Sequence, residues 1–377
     1  MNVIVIGAGG ELGFHACEAV CSVLLDTGRA SSLVMTYRAT RPGHVSRVLA
    51  ERLQGMKDGS VTEIQLDTSD HAAVQRLIEA ESDRLGSTGL AVLFCAVPKH
   101  GGAASTGGTA VRAGIVDDVV FAARETMSRG GRFVAISTDQ VFDGKPKTST
   151  PIRSEGCDAT AHDRARADLN LYTEDPEQDP TCPTNPYGQY KVEMEKSLLE
   201  LAKSNGWDHL LLIARTSLIL GLPPLLREFT GNSDPAAVQL DDALLADSGK
   251  AVRFVLNAIS NSEQKPLVLF TDEPRNMSFA DDLGCALAEL AVERAHDENA
   301  TGILNLVSDE PTNRYELALR LAATLGMTQC NAVPGESKTS GLNRPLDLSL
   351  STHKLHALGL RTRLRGVSER LPVRLDT

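Results

Sequence analysis

Short apolar runs alternate with helix-period segments through the first half of the chain. The runs Val3–Ile6, Ser32–Thr36, Thr62–Leu66, Leu90–Ala96, Arg132–Ser137 and His209–Ala214 are rich in β-branched residues and mostly apolar on both faces. Parallel strands covered by helices on either side read this way. Between them, Leu12–Asp26 carries an apolar stripe of Leu12, Ala16, Ala19 and Val23 and stops near Gly28. Ala72–Leu85 and Ala110–Ser128 follow the same helical period. This βαβαβ rhythm predicts an α/β protein with a doubly wound parallel sheet over residues 1–215. The second half is less regular. The stretch 221–247 is loop-rich, with Pro223, Pro224 and Pro235. Helices are expected at Gly249–Ser260, Ala280–His296 and Arg314–Leu325, and short strands at Leu267–Thr271 and Ile303–Val307. Residues 216–377 therefore read as a smaller α+β substrate lobe, with segments in about 267–310 returning to the main sheet.

One segment stands apart. Residues 145–183 are polar and proline-punctuated. Glu155, Asp158, Asp163, Asp168, Glu174, Asp175, Glu177 and Asp179 face only Arg153, Arg164 and Arg166 after the opening lysines. So long a stretch inside a compact domain is either a disordered excursion or a functional lid. Its acids contribute to a formal net charge of −11 over 377 residues. That balance argues against a nucleic-acid partner held through phosphates. With 9 Phe, 5 Tyr and 1 Trp, a base-stacking platform is also not expected. Met1 leads directly into the first apolar run with no secretory pattern. The most apolar later stretch, Leu210–Leu226, is broken by Arg215, Thr216, Pro223 and Pro224, so no membrane span is expected. The seven cysteines include no C-x-x-C pair, which fits a reduced, cytoplasmic chain with buried thiols. Cys17 and Cys21 are four apart on a predicted helix, but no further Cys or His completes a metal set.

The first strand runs into Gly7-Ala8-Gly9-Gly10-Glu11-Leu12-Gly13 and the first helix. The glycines Gly7, Gly10 and Gly13 suit a tight turn, a close backbone approach to a pyrophosphate and close helix–strand packing. The helix N-terminus then offers free N–H groups to the phosphates. This strand–turn–helix context predicts a Rossmann dinucleotide site. The second strand ends in Tyr37-Arg38-Ala39-Thr40-Arg41, without the acid that accepts from an NAD ribose. Arg38 and Arg41 can clasp a 2′-phosphate, so NADP(H) is favoured over NAD; the alternative is a pair of solvated loop charges. Asp67, before Thr68 at the end of the third strand, either accepts from the adenine amine or caps the next helix.

Tyr187 and Lys191 stand four apart on a helix announced by Asn185 and Pro186. A nearby ammonium is expected to lower the phenol pKa from its ordinary value near 10, readying Tyr187 to protonate a carbonyl oxygen. The fifth strand ends in Ser137-Thr138-Asp139, where a hydroxyl can bond the same oxygen.

Together these residues resemble an extended short-chain dehydrogenase/reductase. The resemblance is to the branch holding dTDP-4-dehydrorhamnose reductase and the methionine adenosyltransferase beta subunit. It rests on Gly7–Gly13, Ile136–Gly144, Pro186–Glu193, Ala214–Ser217, Arg314–Arg320 and Arg344–Leu350. It implies a catalytic set of Thr138, Tyr187 and Lys191. It also implies that Cys95, Ala96 and Val97 line the cofactor, and that Glu11, Leu12 and Thr68 adjoin it. Around the substrate it points to Thr138, Asp139, Gln140, Thr216 and Leu218. Arg275 is read either as a substrate-phosphate ligand or as a structural ion-pair partner. Leu218 and Gln140 depart from the branch, which has an aromatic residue and a tyrosine there. The implied function is reduction of a carbonyl on a nucleotide sugar or another small polar molecule, with a homodimer left open as the assembly. The alternatives are a non-catalytic NADP-binding regulatory subunit and a nucleotide-sugar epimerase or dehydratase.

Overall fold

A computed structural model of the chain describes residues 1–27, 32–39, 51, 60–85, 89–98, 107–145, 171–227, 242–260, 265–327, 329–341 and 344–372. Its centre is a seven-stranded sheet in the order β3-β2-β1-β4-β5-β6-β11, every pair parallel. The strands are β1 (Asn2–Ile6), β2 (Ser32–Tyr37), β3 (Ser60–Gln65), β4 (Leu90–Phe94), β5 (Arg132–Thr138) and β6 (Leu211–Thr216). Four-residue β8 (Leu267–Phe270) and the two-residue strands β7 (Ile219–Leu220), β9 (Arg275–Asn276) and β10 (Ser278–Phe279) precede β11 (Gly302–Asn305). The chain thus leaves the sheet after β6 and re-enters it with β11 at the edge, 85 residues on if counted from Ser217 to Thr301. Last come β12 (Pro311–Thr312) and β13 (Ala332–Gly335).

Successive side chains of a strand point to opposite faces, and both faces here are apolar. Val3 and Val5 pack beneath α1 (Glu11–Thr27), while Ile4 and Ile6 enter a second core under α2 (His71–Leu85). That second face also holds α3 (Thr109–Ile115), α4 (Asp117–Met127) and α5 (Pro186–Asn205). The continuous helix expected over Ala110–Ser128 is instead two, which meet at Val116, where φ −109° and ψ −66° are stretched from regular helical values. The strand expected from His209 starts at Leu211, after a single tight turn over Asp208–Leu210.

Beyond β6 lie the short helices α6 (Pro224–Arg227) and α7 (Asp242–Asp247), then α8 (Lys250–Ser260) and α9 (Ala280–Ala288). The helix expected to His296 instead loosens into a wider turn over Glu289–Glu293. Helix α9 lies against α1 and covers the first core. Helices α10 (Arg314–Thr324), α11 (His353–Leu358) and α12 (Val367–Arg370) complete the chain. A third core gathers Leu220, Leu222, Val255, Leu256, Phe279, Leu317 and Leu321 and forms the lobe beside the sheet.

Of the 145–183 stretch, 146–170 lies outside the described residues. Its end is tied down: Tyr172 stacks on Phe142 at 4.2 Å between ring centroids and donates its hydroxyl to Asp143 Oδ1 at 3.1 Å.

A buried ion pair joins α5 to the sheet. Arg215 of β6 donates from Nε and a terminal nitrogen to the two oxygens of Glu195, at 3.0 and 2.7 Å. Ser137 Oγ of β5 donates to the same carboxylate at 2.5 Å. Glu195→Ala leaves the Arg215 charge buried without its partner. We expect a loss of about 3–5 kcal/mol of stability, read as a lower urea midpoint at unchanged slope.

Candidate active site

The chain turns from β1 into α1 through backbone that tolerates little else. Gly7 has φ +94°, in the left-handed region, and a Cβ there would come within 2.7 Å of the Ala96 nitrogen. A Cβ on Gly13 would lie 2.2 Å from the Gly7 carbonyl oxygen, so helix and turn touch without side chains between them. Gly9 and Gly10 line a crevice of about 600 Å³ at the carboxyl ends of β1, β2 and β4. It lies where the strand order reverses, the place such sheets bind ligands.

Tyr37, Arg38, Asp67, Thr68, Cys95, Ala96 and Val97 line the same crevice. Arg41 lies outside the described residues. Asp67 does not cap α2; Asp70 does, accepting from Ala73 N at 3.0 Å. The Asp67 carboxylate accepts instead from Ser69 N and Oγ, which hold its pKa below the usual range. Thr68 Oγ1 donates to Asp118 Oδ2 at 2.9 Å. Asp118, which also lines the crevice, was not singled out from the sequence. It sits 50 residues from Thr68 with no motif around it. Leu12 faces a different cavity, and Glu11 lines neither, its side chain being turned toward Gly221 and Gly249.

That second cavity, of about 540 Å³, collects Thr138, Asp139, Gln140, Tyr187, Lys191, Thr216, Leu218 and Arg275. Cys95 and Val97 line both spaces, which therefore adjoin. Helix α5 delivers Tyr187 and Lys191 because Asn185 caps it, its side chain accepting from Gly188 N at 2.9 Å, with Pro186 in the first turn. Asn185 Nδ2 also donates to Gln140 Oε1 at 2.9 Å, tying the cap to the end of β5. A Cβ on Gly188 would meet the Gln140 carbonyl oxygen at 2.2 Å, so this glycine lets the helix seat against that turn.

Thr138 and Tyr187 line this cavity together, and Thr138 Oγ1 donates to Asp139 Oδ1 at 3.1 Å. Burial and the Asp139 carboxylate push the Tyr187 phenol above its ordinary pKa, against the lowering expected from Lys191. The reason is geometric. Lys191 Nζ donates to the Ile136 carbonyl at 2.6 Å and stands 6.0 Å from the Tyr187 ring centroid. Its own pKa is lowered to about 8, by burial. Burial likewise pushes the Cys95 thiol up to about 12.

Asp139 is buried and accepts from Ser217 Oγ at 2.6 Å. Arg275 Nε stands 3.6 Å from its Oδ2. The remaining Arg275 donors go to the carbonyls of Pro274, Pro345 and Leu346. Two further arginines, far apart in sequence, reach the cavity. Arg344 donates to buried Glu273 from Nε and a terminal nitrogen at 2.6 and 2.9 Å. Arg314 donates to the same carboxylate at 3.3 Å, and the nearby charges of Arg275 and Arg344 help to lower its pKa, after burial.

A profile of the RmlD substrate binding domain matches residues 1–224, more than half of the chain. The chain belongs to the RmlD substrate-binding domain family. Among curated relatives, methionine adenosyltransferase 2 subunit beta of Pongo abelii is 25% identical over 253 residues, covering 66% of this family member. The match spans 60% of that relative's length. Among solved structures, dTDP-4-dehydrorhamnose reductase from Bacillus anthracis in complex with NADP superposes with a TM-score of 0.61. It is 16% identical and covers 98% of this chain and 96% of its own. UDP-glucose 4-epimerase from Thermotoga maritima with UDP-glucose reaches a TM-score of 0.63 at 16% identity, covering 99% and 98%. Both structures share the fold. No helix among the described residues of this RmlD-family chain is long and apolar enough to cross a membrane.

The lowered Lys191 pKa has a measurable consequence for stability. Between about 8 and the ordinary 10.5, an unfolded chain keeps a proton on Lys191 that the folded chain has released. The contribution of Lys191 to stability therefore rises with pH across that window and is flat below it. Urea unfolding at about pH 8.5 and 9.5 should show Lys191→Met gaining roughly 1.4 kcal/mol less than wild type over that step.

Proposed function

We propose that this chain is an NADP(H)-dependent reductase of a carbonyl group on a nucleotide sugar or another small anionic molecule. The observation that carries the reading is that Tyr187, Thr138 and Lys191 line one cavity, which adjoins the glycine-turn crevice at Cys95. The crevice suits a dinucleotide, since its floor is a turn in which a Cβ at Gly7 or Gly13 would collide with backbone. In this reading Gly7, Gly10, Gly13 and the α1 N-terminus hold the diphosphate, and Tyr37 and Arg38 hold the 2′-phosphate. Asp67 and Thr68 border the adenine, and Cys95, Ala96 and Val97 border the nicotinamide. A bound reduced dinucleotide supplies hydride to the carbonyl carbon.

Thr138 orients the carbonyl oxygen, and Tyr187 gives that oxygen its proton. The raised phenol pKa keeps Tyr187 protonated at neutral pH, as a proton donor must be at the start of turnover. The Lys191 charge, fixed by Ile136, steadies the phenolate left behind until solvent restores the proton. Arg314 and Arg344 bind the anionic part of the substrate, with guanidinium donors beyond those engaged by Glu273. Arg275 instead fixes Asp139 and the Pro345–Leu346 backbone. Residues 1–215, with β11, form the dinucleotide half, and the rest of 216–377 the substrate lobe.

The similarity to the methionine adenosyltransferase beta subunit favours a second reading, a non-catalytic NADP-binding regulatory subunit. Steady-state assays with a panel of 4-keto sugar nucleotides separate the two. In the reductase reading wild type oxidises NADPH with some member of the panel. Tyr187→Phe should then lose roughly 10²–10⁴-fold in kcat, with NADPH affinity within about twofold of wild type. NADPH binding without turnover of any panel member supports the regulatory reading. For the same substrate, Arg314→Ala should raise KM at least about tenfold with kcat within about threefold, the signature of lost ground-state binding.

A further inference from the structure

The α1 N-terminus carries an acid where a dinucleotide phosphate is to be bound. Glu11 opens α1, directly after Gly9 and Gly10 of the crevice. A carboxylate free at that place competes for the same N–H groups as a phosphate and repels it. The structure holds the carboxylate elsewhere. Glu11 Oε1 is buried and has no hydrogen-bond partner among the described residues. It is wedged between the chain at Gly221 and Gly249, where an ideal Cβ would stand 1.8 and 1.9 Å from it. Those two glycines are held together by a bond from Gly249 N to the Gly221 carbonyl at 2.9 Å. The backbone N–H of Lys250, the first residue of α8, and the charges of Lys250 and Arg253 favour the ionised carboxyl. Burial nevertheless raises the Glu11 pKa. A Cβ on either glycine would overlap the carboxyl where it now lies.

We propose that Gly221 and Gly249 form a storage slot for the Glu11 carboxylate, which makes Glu11 a positioning residue that keeps the phosphate turn free of negative charge. The substrate lobe thereby controls dinucleotide affinity through two residues that do not line the dinucleotide crevice. The inference rests on the dinucleotide reading of that crevice.

Fluorescence titration of the full chain with NADPH tests it. Gly249→Ala should weaken NADPH binding at least about tenfold by returning the acid to the turn. Adding Glu11→Gln, which has the same size but no charge, should bring affinity back to within about threefold of wild type. Thermal melting of the ligand-free variants reads folding separately, and the single and double variants should melt alike. Unchanged affinity in Gly249→Ala overturns the proposal. So does a double variant as weak as the single one, because bulk rather than charge is then responsible. If Gly249→Ala does not fold, Glu11→Asp and Glu11→Asn decide. Asp is too short to reach the slot and should bind NADPH at least about fivefold more weakly than Asn; equal affinities overturn the idea. A wild type that binds neither NADPH nor NADH overturns the dinucleotide reading and this inference together. Binding by wild type with charge-independent variants overturns this inference alone.

Discussion

The grip of Arg215 and Ser137 on Glu195 is the constraint on which the candidate site depends. Glu195 lies one helical turn beyond Lys191 and two beyond Tyr187, so fixing it fixes the rotation and depth of the whole helix. The partners come from two adjacent strands, β5 and β6, and Ser137 is the neighbour of Thr138. One buried carboxylate therefore sets the helix that carries Tyr187 against the strand end that carries Thr138. Both charged side chains are only 4% exposed. A pair so deep contributes little net stability compared with an apolar substitute, but it penalises any other seating of α5. The cost of burying charge here is repaid in geometry.

The charge of the molecule is unevenly arranged. Overall it is acidic, at −11. Yet the inner wall of the second cavity carries Arg275, Arg314 and Arg344, opposed by Asp139 and Glu273. The three arginines come from β9, α10 and the chain after β13, all from the lobe beside the sheet. The sheet side of the cavity carries hydroxyls and one ammonium. The boundary between cationic and hydroxyl-bearing walls runs through Asp139, which touches both Ser217 and Arg275.

The strands were legible because parallel strands under helices are apolar on both faces, as Val3–Ile6 is, and few other structures need that. The glycine turn was legible because its demands are local, lying within Gly7–Gly13 and one neighbouring strand. Features that depend on distant packing were not. The break at Val116 has no proline to announce it. The direction of the Tyr187 pKa depends on burial and on where the Lys191 ammonium finds an acceptor, and i,i+4 spacing encodes neither. Arg314 and Arg344 lie 41 and 71 residues from Glu273 along the chain, so nothing local marked them as a group. Arg275 looked available in sequence, but the fold surrounds it with carbonyls.

The stacked rings of Phe142 and Tyr172 have a genetic consequence. With Tyr172 bonded to Asp143, and Cys182 N donating to the Val141 carbonyl at 2.9 Å, the polypeptide departs from and returns to one spot beside β5. The contacts that pin the strand end and the incoming chain are thus encoded on either side of positions 146–170, at Val141–Asp143 and at Tyr172 and Cys182.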